Sequence, residues 1–275
     1  MSRPMRSWLF TPATRPDRVL KSFQSQADVV IVDLEDAVPP DQKAEARRLL
    51  VDEIMTLNRY GKTLAVRLNA PKTMDGHFDL SALVGADAFP DFLIIPKTET
   101  LASMSIVAST LAERGITSRL IALIESARGL AVVDEIADRA SRLAGLMFGA
   151  ADMTADLGCN GSWESLLYAR SKVIAAAAVA GVPAIDSPFF DISDLDGLTS
   201  ETVRAMGLGY QAKAAIHPDQ LRPINQLLTP DDEQIANARA VIAAAASGVG
   251  VVKGKMVDEA MARSARQTLS RAGTN

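Results

Sequence analysis

Eight short apolar runs recur along the chain, at Ser7–Phe10, Asp28–Asp33, Leu64–Leu68, Phe92–Ile95, Leu120–Ile124, Leu143–Phe148, Pro183–Ile185 and Ala212–Ile216. Near-continuous runs of this length are the pattern of parallel strands buried on both faces. Between them lie helical stretches, predicted at about Asp17–Ser25, Asp41–Arg59, Thr100–Arg114, Gly129–Ala140, Trp163–Ala180 and Ser200–Met206. Pro16 suits the start of the first, and Ala44, Ala46, Leu49, Leu50, Ile54 and Leu57 supply the apolar face of the second. Strand and helix alternate eight times within roughly 225 residues, which matches a closed (β/α)8 TIM barrel better than an open doubly wound sheet. No GxGxxG follows the first strand, so a dinucleotide-binding domain is disfavoured.

The pattern changes after Leu228, and two regions are expected: a catalytic barrel over residues 1–228 and a C-terminal helical and hairpin extension over 229–275. Thr229-Pro230-Asp231-Asp232-Glu233 reads as a helix start with threonine as N-cap, proline next and acids in the first turn. An alanine-rich helix to about Ala246, a glycine-bounded hairpin over Ser247–Lys255 and a last helix over Met256–Leu269 follow. The extension stands either over its own subunit's catalytic face or over a neighbour's.

Composition narrows the function. The chain has 275 residues, is 48% hydrophobic and carries a formal charge of −4 with only 5% aromatic residues. It therefore offers no basic, aromatic-studded surface for nucleic acid. No apolar stretch reaches membrane-spanning length, and Met1–Arg6 leads into a strand rather than a signal-peptide core, so a cytoplasmic protein is expected. A single cysteine, Cys159, excludes an internal disulfide and a CxxC metal site.

Polar residues gather where the predicted strands stop: Asp33, Glu35 and Asp36, then Arg67 and Asn69, Lys97, Glu125, Asp152, Asp186 and His217. In a TIM barrel these strand ends build the catalytic mouth. Carboxylates crowded there repel one another, and a divalent cation relieves that. Mg2+ takes one or two carboxylates and completes its octahedron with waters and substrate oxygens. Zinc has poor support, since His77 and His217 are the only histidines.

Several motifs occur in a fixed order: Arg6-Ser7-Trp8-Leu9-Phe10-Thr11-Pro12, Asp33-Leu34-Glu35-Asp36-Ala37-Val38-Pro39, Val66-Arg67-Leu68-Asn69, Ile95-Pro96-Lys97, Leu123-Ile124-Glu125-Ser126, Phe148-Gly149-Ala150-Ala151-Asp152 and Ala215-Ile216-His217-Pro218. Together they resemble the citrate lyase β subunit-like branch of the HpcH/HpaI aldolase superfamily, and Gly254-Lys255-Met256-Val257-Asp258 resembles its C-terminal motif. The resemblance implies a TIM barrel, Mg2+, and reversible carbon–carbon cleavage of a carboxylate-bearing 3-hydroxyacyl thioester. It also implies homotrimers or trimer-based hexamers in which the extension's aspartate serves an adjacent subunit.

Carried onto this chain, the resemblance makes Glu125 and Asp152 the metal carboxylates, and it puts substrate against Arg67, Glu125 and Ala151. Arg67 would stabilise enolate-like charge on the thioester oxygen, with Glu35 and Asp36 orienting it and Asp33 structural. Asp258 would exchange a proton with the acetyl carbon. The coenzyme A phosphates and adenine would lie near Thr11, Pro12, Arg15, Arg18 and Lys21, although cations at helical spacing also describe a solvated face.

Three enzymatic readings stand. The preferred one is a freestanding CoA-ester lyase acting on citramalyl-CoA or malyl-CoA, with Ala150, Ala151, Pro188 and Phe189 as an apolar patch for a substrate methyl. The second is a citrate lyase β subunit handling a citryl thioester on an acyl carrier protein. The third is a Schiff-base aldolase using Lys97. A degenerate thioester-binding module is the non-enzymatic alternative.

Overall fold

The computed structural model describes residues 5–246 and 248–272. Met1–Pro4 and Ser247, which belong to the leader and hairpin readings above, lie outside the described residues.

Eight parallel strands close into a barrel: β1 (Ser7–Pro12), β2 (Val29–Asp33), β3 (Thr63–Arg67), β4 (Phe92–Ile95), β5 (Arg119–Ile124), β6 (Leu143–Phe148), β7 (Ala184–Asp186) and β8 (Ala212–Ala215). Around it run α1 (Pro16–Gln24), α2 (Lys43–Asp52), α3 (Met74–Val84), α4 (Leu101–Glu113), α5 (Ala127–Arg139), α6 (Ala150–Leu157), α7 (Trp163–Ala180), α8 (Leu195–Leu208) and α9 (Leu221–Leu228). The extension holds α10 (Asp232–Ala245), an antiparallel ribbon of β9 (Gly250–Val252) and β10 (Lys255–Val257), and α11 (Glu259–Arg271). The α/β barrel expected from the apolar runs is the fold observed. Among the described residues no helix is long and apolar enough to cross a membrane.

Strand parity divides the core in two. Trp8, Val29, Ile31, Ala65, Phe92, Ile94, Ile121, Leu123, Met147, Ile185 and Ala212 fill the barrel interior, while alternate residues such as Val30, Val32, Leu64, Val66, Ala122 and Ile124 pack under the helices. Side chains two apart share a face of a strand. The inward series 29, 31 on β2, 65 on β3 and 121, 123 on β5 therefore continues to Asp33, Arg67 and Glu125 at the top of the barrel.

The same parity sends Asp186 and Lys213 outward, one residue past the inward Ile185 and Ala212. Asp186, expected at the mouth, is instead fully buried under α7 and α8, between Arg170 (3.1 Å) and Lys213 (2.6 Å). Burial alone would raise its pKa; Lys213 and Arg170 outweigh burial and lower it. The Arg170 guanidinium carbon stands 5.0 Å from the centre of the Phe148 ring and 4.6 Å from that of Trp163, and Glu201 adds a 2.8 Å ion pair to Lys213.

Several helix limits differ from the sequence pattern. The long second helix ends at Asp52, and Ile54–Thr56 forms a separate 3-10 turn that tucks Ile54 and Met55 inward. Asp231 rather than Thr229 caps α10, in a reciprocal box with Gln234, because Thr229 is engaged with Arg6 and the Asn225 carbonyl. The last helix begins at Glu259, since Lys255–Val257 pairs as a strand and Asp258 becomes the N-cap. Helices α3, α6 and α9 add to those that the apolar pattern predicts.

The extension buries Ala238, Val241, Val257 and Ala265 against one another. A cavity of about 500 Å3 separates it from Met206, Leu227 and Leu228, at the carboxyl ends of α8 and α9. A second, of about 450 Å3, runs from Ser270 and Arg271 to Trp8, Ile185 and Ala212. The extension thus lies at the amino-terminal face of its own barrel, opposite the strand ends.

Candidate active site

Asp33 and Arg67 are direct partners in the parallel register of β2 and β3, and both point inward. Their side chains meet in a two-pronged contact: Arg67 Nε donates to Asp33 Oδ1 at 2.7 Å and Nη2 to Oδ2 at 2.6 Å. The same carboxylate accepts the backbone N–H groups of Glu35 (2.9 Å) and Ala37 (3.1 Å), so it also shapes the loop after β2. Asp33 is therefore the main partner that orients Arg67. Of the two residues expected in that role, Glu35 Oε2 stands 3.0 Å from Nη1 and Asp36 is 3.8 Å away. The Phe10 ring lies 4.8 Å under the guanidinium carbon. Burial alone would lower the Arg67 pKa, but Asp33 and Glu35 raise it, so the guanidinium stays charged.

Glu125 ends the inward series on β5 and is 3% exposed. Lys97 donates its backbone N–H to Glu125 Oε1 at 2.7 Å. Lys97 holds a left-handed backbone (φ 46°), uncommon for a residue with a side chain, and such strain gathers at functional sites. On the other side Gly149 makes room: a Cβ there would stand 2.5 Å from Glu125 Cβ. Burial first, and then the charge of Glu35, pushes the Glu125 carboxyl up to about 8, with Asp152 adding to it. Glu35 is likewise raised, chiefly by burial, and its Oε2 has no hydrogen-bond partner despite its nearness to Arg67.

A cavity of about 210 Å3 opens over these groups, with Asp33, Asp36, Arg67, Glu125 and Asp152 at its charged end. Phe10, Ala150, Ala151, Pro188, Phe190 and Ile216 supply its apolar side. Among the described residues no three His, Cys, Asp or Glu side chains form a ready metal cluster. Glu125 and Asp152 remain as two hard-oxygen donors, a set that suits an ion which keeps waters and takes substrate oxygens.

The other expected residues are placed as follows. Phe189 turns away from the cavity to pack on the barrel, and its neighbour Phe190, which the sequence did not single out, takes its place. Thr11 is buried with its hydroxyl 2.9 Å from Ser22 Oγ, so its side chain is not free for a ligand. Pro12 ends β1, Arg15 pairs with Asp17 at 2.8 Å on the surface, and Lys21 is exposed on α1. Asn69 is buried against Asp79, and His217 caps the turn at Pro218. Lys97 Nζ meets Glu35 Oε1 at 3.1 Å; burial would lower its pKa, but Glu35 raises it. An imine-forming lysine needs the opposite shift. Asp258 Oδ1 accepts the Met261 N–H at 3.1 Å as a helix cap and does not line the cavity.

Residues 6–218 match the family model described as HpcH/HpaI aldolase/citrate lyase. The chain belongs to this family. A relative from Rhodobacter capsulatus, an L-malyl-CoA/beta-methylmalyl-CoA lyase, is 35% identical across 96% of this chain and 93% of its own. A citrate lyase subunit beta-like protein of Mycobacterium tuberculosis is 38% identical across 97% and 95%. Among solved structures, CitE of Mycobacterium tuberculosis in complex with magnesium, acetoacetate and coenzyme A superposes with a TM-score of 0.82 at 36% identity, covering 98% of each chain.

In protein stripped of divalent cations, Glu125 and Glu35 both favour the protonated form in the fold. A carboxyl raised on folding contributes stability that is lost as pH climbs from its ordinary value, 4.5 for Glu125, to its raised one, about 8. The melting temperature is therefore expected to fall across that window and the fall to flatten in Glu125→Gln. A level melting temperature in the unsubstituted protein would contradict these environments.

Proposed function

We propose that this chain is a Mg2+-dependent carbon–carbon lyase that cleaves a 3-hydroxy-3-carboxyacyl-CoA, with (S)-citramalyl-CoA, giving acetyl-CoA and pyruvate, as the preferred substrate and malyl-CoA as the close competitor. The observation that carries this is the meeting of Glu125, Asp152 and Arg67 in one cavity with a small apolar side. Family membership and lyase relatives on both sides of the CoA and citrate branches support the reaction class.

Glu125 and Asp152 fit as the protein ligands of Mg2+, because a cation beside them offsets both the burial and the neighbouring acids that otherwise hold Glu125 protonated. Bound there, the ion supplies Lewis-acid polarisation of the keto-acid oxygens. The chain's own groups do the rest. Lys97 N–H fixes one oxygen of Glu125, and Gly149 leaves that carboxylate its space. In the cleavage direction the substrate's hydroxyl proton passes to solvent water, from which Asp258 is reprotonated between turnovers; the bond between the hydroxyl carbon and the thioester α-carbon breaks, and its electron pair passes to the thioester oxygen. Arg67, held by Asp33, offers its cation to that oxygen. A proton on Asp258 would then go to the α-carbon, giving the acetyl methyl group. Asp258 lies on the far side of its own barrel, so this role requires a neighbouring subunit's copy, in a homotrimer or hexamer. Arg15, Arg18 and Lys21 flank the exit of β1, where the coenzyme's phosphates would pass.

Purified protein with Mg2+ is expected to turn over (S)-citramalyl-CoA with the highest kcat/KM among citramalyl-CoA, malyl-CoA and citryl-CoA in a coupled assay. Glu125→Ala or Asp152→Ala should each lower it by about a thousandfold or more. No turnover of any of the three would refute the function. Mixing inactive Asp258→Asn with inactive Asp152→Ala, with subunits allowed to exchange, should restore about one quarter of the activity under random assembly. No recovery in a verified mixed oligomer would exclude a trans role for Asp258.

A further inference from the structure

Beside Phe10 of β1 and Ala150 and Ala151 of α6, the apolar lining of the cavity comes from two chain segments with no regular structure, Ser187–Phe190 after β7 and Ile216–His217 after β8. Pro188 and Phe190 come from the first and Ile216 from the second. Phe190 is 57% and Ile216 37% exposed, so neither segment is held by burial of these side chains. One residue outside the cavity ties the two together. Gln220, 1% exposed, donates from Nε2 to the Phe189 carbonyl at 2.8 Å. Its Oε1 accepts the N–H groups of Ile216 at 2.9 Å and His217 at 3.3 Å. The amide orientation is dictated by these partners, since a flipped group would set NH2 against two N–H donors and oxygen against a carbonyl. Lys213 and Arg170 secure the other end of the first segment, on the Ser187 carbonyl (2.9 Å) and hydroxyl (3.3 Å).

We propose that Gln220 is a specificity-determining positioning residue whose single buried amide sets the separation of Phe190 and Pro188 from Ile216, and so the space for the substrate's small apolar substituent. This rests on the proposed lyase function. Gln220 touches none of the charged groups, so its loss acts on the apolar side alone. A buried amide serving three backbone groups has no substitute among apolar residues, because removing it leaves those groups unpaired. A shift of the two segments then changes how a methyl is received while leaving Arg67, Glu125 and Asp152 in place.

The test compares Gln220→Met, which keeps the length without hydrogen bonds, and Gln220→Glu, which keeps the acceptor and sets oxygen against the Phe189 carbonyl. In each, kcat/KM for citramalyl-CoA should fall about tenfold further than for malyl-CoA, the scale of discrimination one methyl supports. The Mg2+ concentration giving half-maximal rate should stay unchanged. Equal losses on both substrates would overturn the specificity role. Amide hydrogen exchange at Ile216 and His217 reads the clamp with no substrate present and should accelerate in Gln220→Met; unchanged exchange would overturn the clamp itself. Gln220→Asn, one methylene shorter, gives the same comparison if one of the other variants fails to fold. Inactivity of the unsubstituted protein toward citramalyl-CoA, malyl-CoA and citryl-CoA alike would fell the lyase reading, leaving the exchange measurement to decide the clamp.

Discussion

The contact between Asp33 and Arg67 is the constraint around which the mouth of this barrel is built. Asp33 has no exposed surface, and a carboxylate in such a place is tolerated only with full pairing. It receives both prongs of the guanidinium and two backbone N–H groups of the loop that follows. That leaves Arg67 Nη1 to face Glu35 and the cavity. The backbone register of two neighbouring strands thereby fixes the position of the cation that the proposed chemistry needs.

A second set of groups completes the mouth by opposing that cation with too many acids. Glu35, Glu125 and Asp152 lie near one another, and the consequence is visible in Glu125, which burial and Glu35 together keep protonated up to about pH 8. A site in that condition is poised for a cation with hard-oxygen preference. Lys97 neutralises only part of the charge. Its ammonium reaches Glu35, and its strained backbone turns an N–H toward Glu125, so one residue braces both carboxylates.

Much of this was legible in the chain because buried parallel strands write their period directly into the sequence. Inward parity at 29, 31, 33 and at 121, 123, 125 carries Asp33 and Glu125 into the barrel, and the ordered motifs pointed to the family. The same parity, followed one residue further, would have moved Asp186 out to the helical layer with Arg170 and Lys213. Other features had no local signal. Thr11 is buried beneath α1 against Ser22, a partner eleven positions away. The left-handed turn at Lys97 and the three bonds of Gln220 arise only once loops from separate strands meet. The face on which the extension rests is likewise a matter of packing, and it sets Asp258 away from the mouth of its own barrel.

The proposed cleavage depends on Arg67 acting as a fixed cation rather than a merely present one, and Asp33→Asn addresses that most directly. An asparagine there loses the negative charge and one acceptor oxygen toward the guanidinium while its size stays the same. The measurement is steady-state cleavage of the thioester by folded Asp33→Asn protein at saturating Mg2+. The expected result is a kcat lowered by about a hundredfold or more with KM changed little, the mark of an interaction realised in the transition state. A kcat within a few-fold of the unsubstituted protein would contradict it.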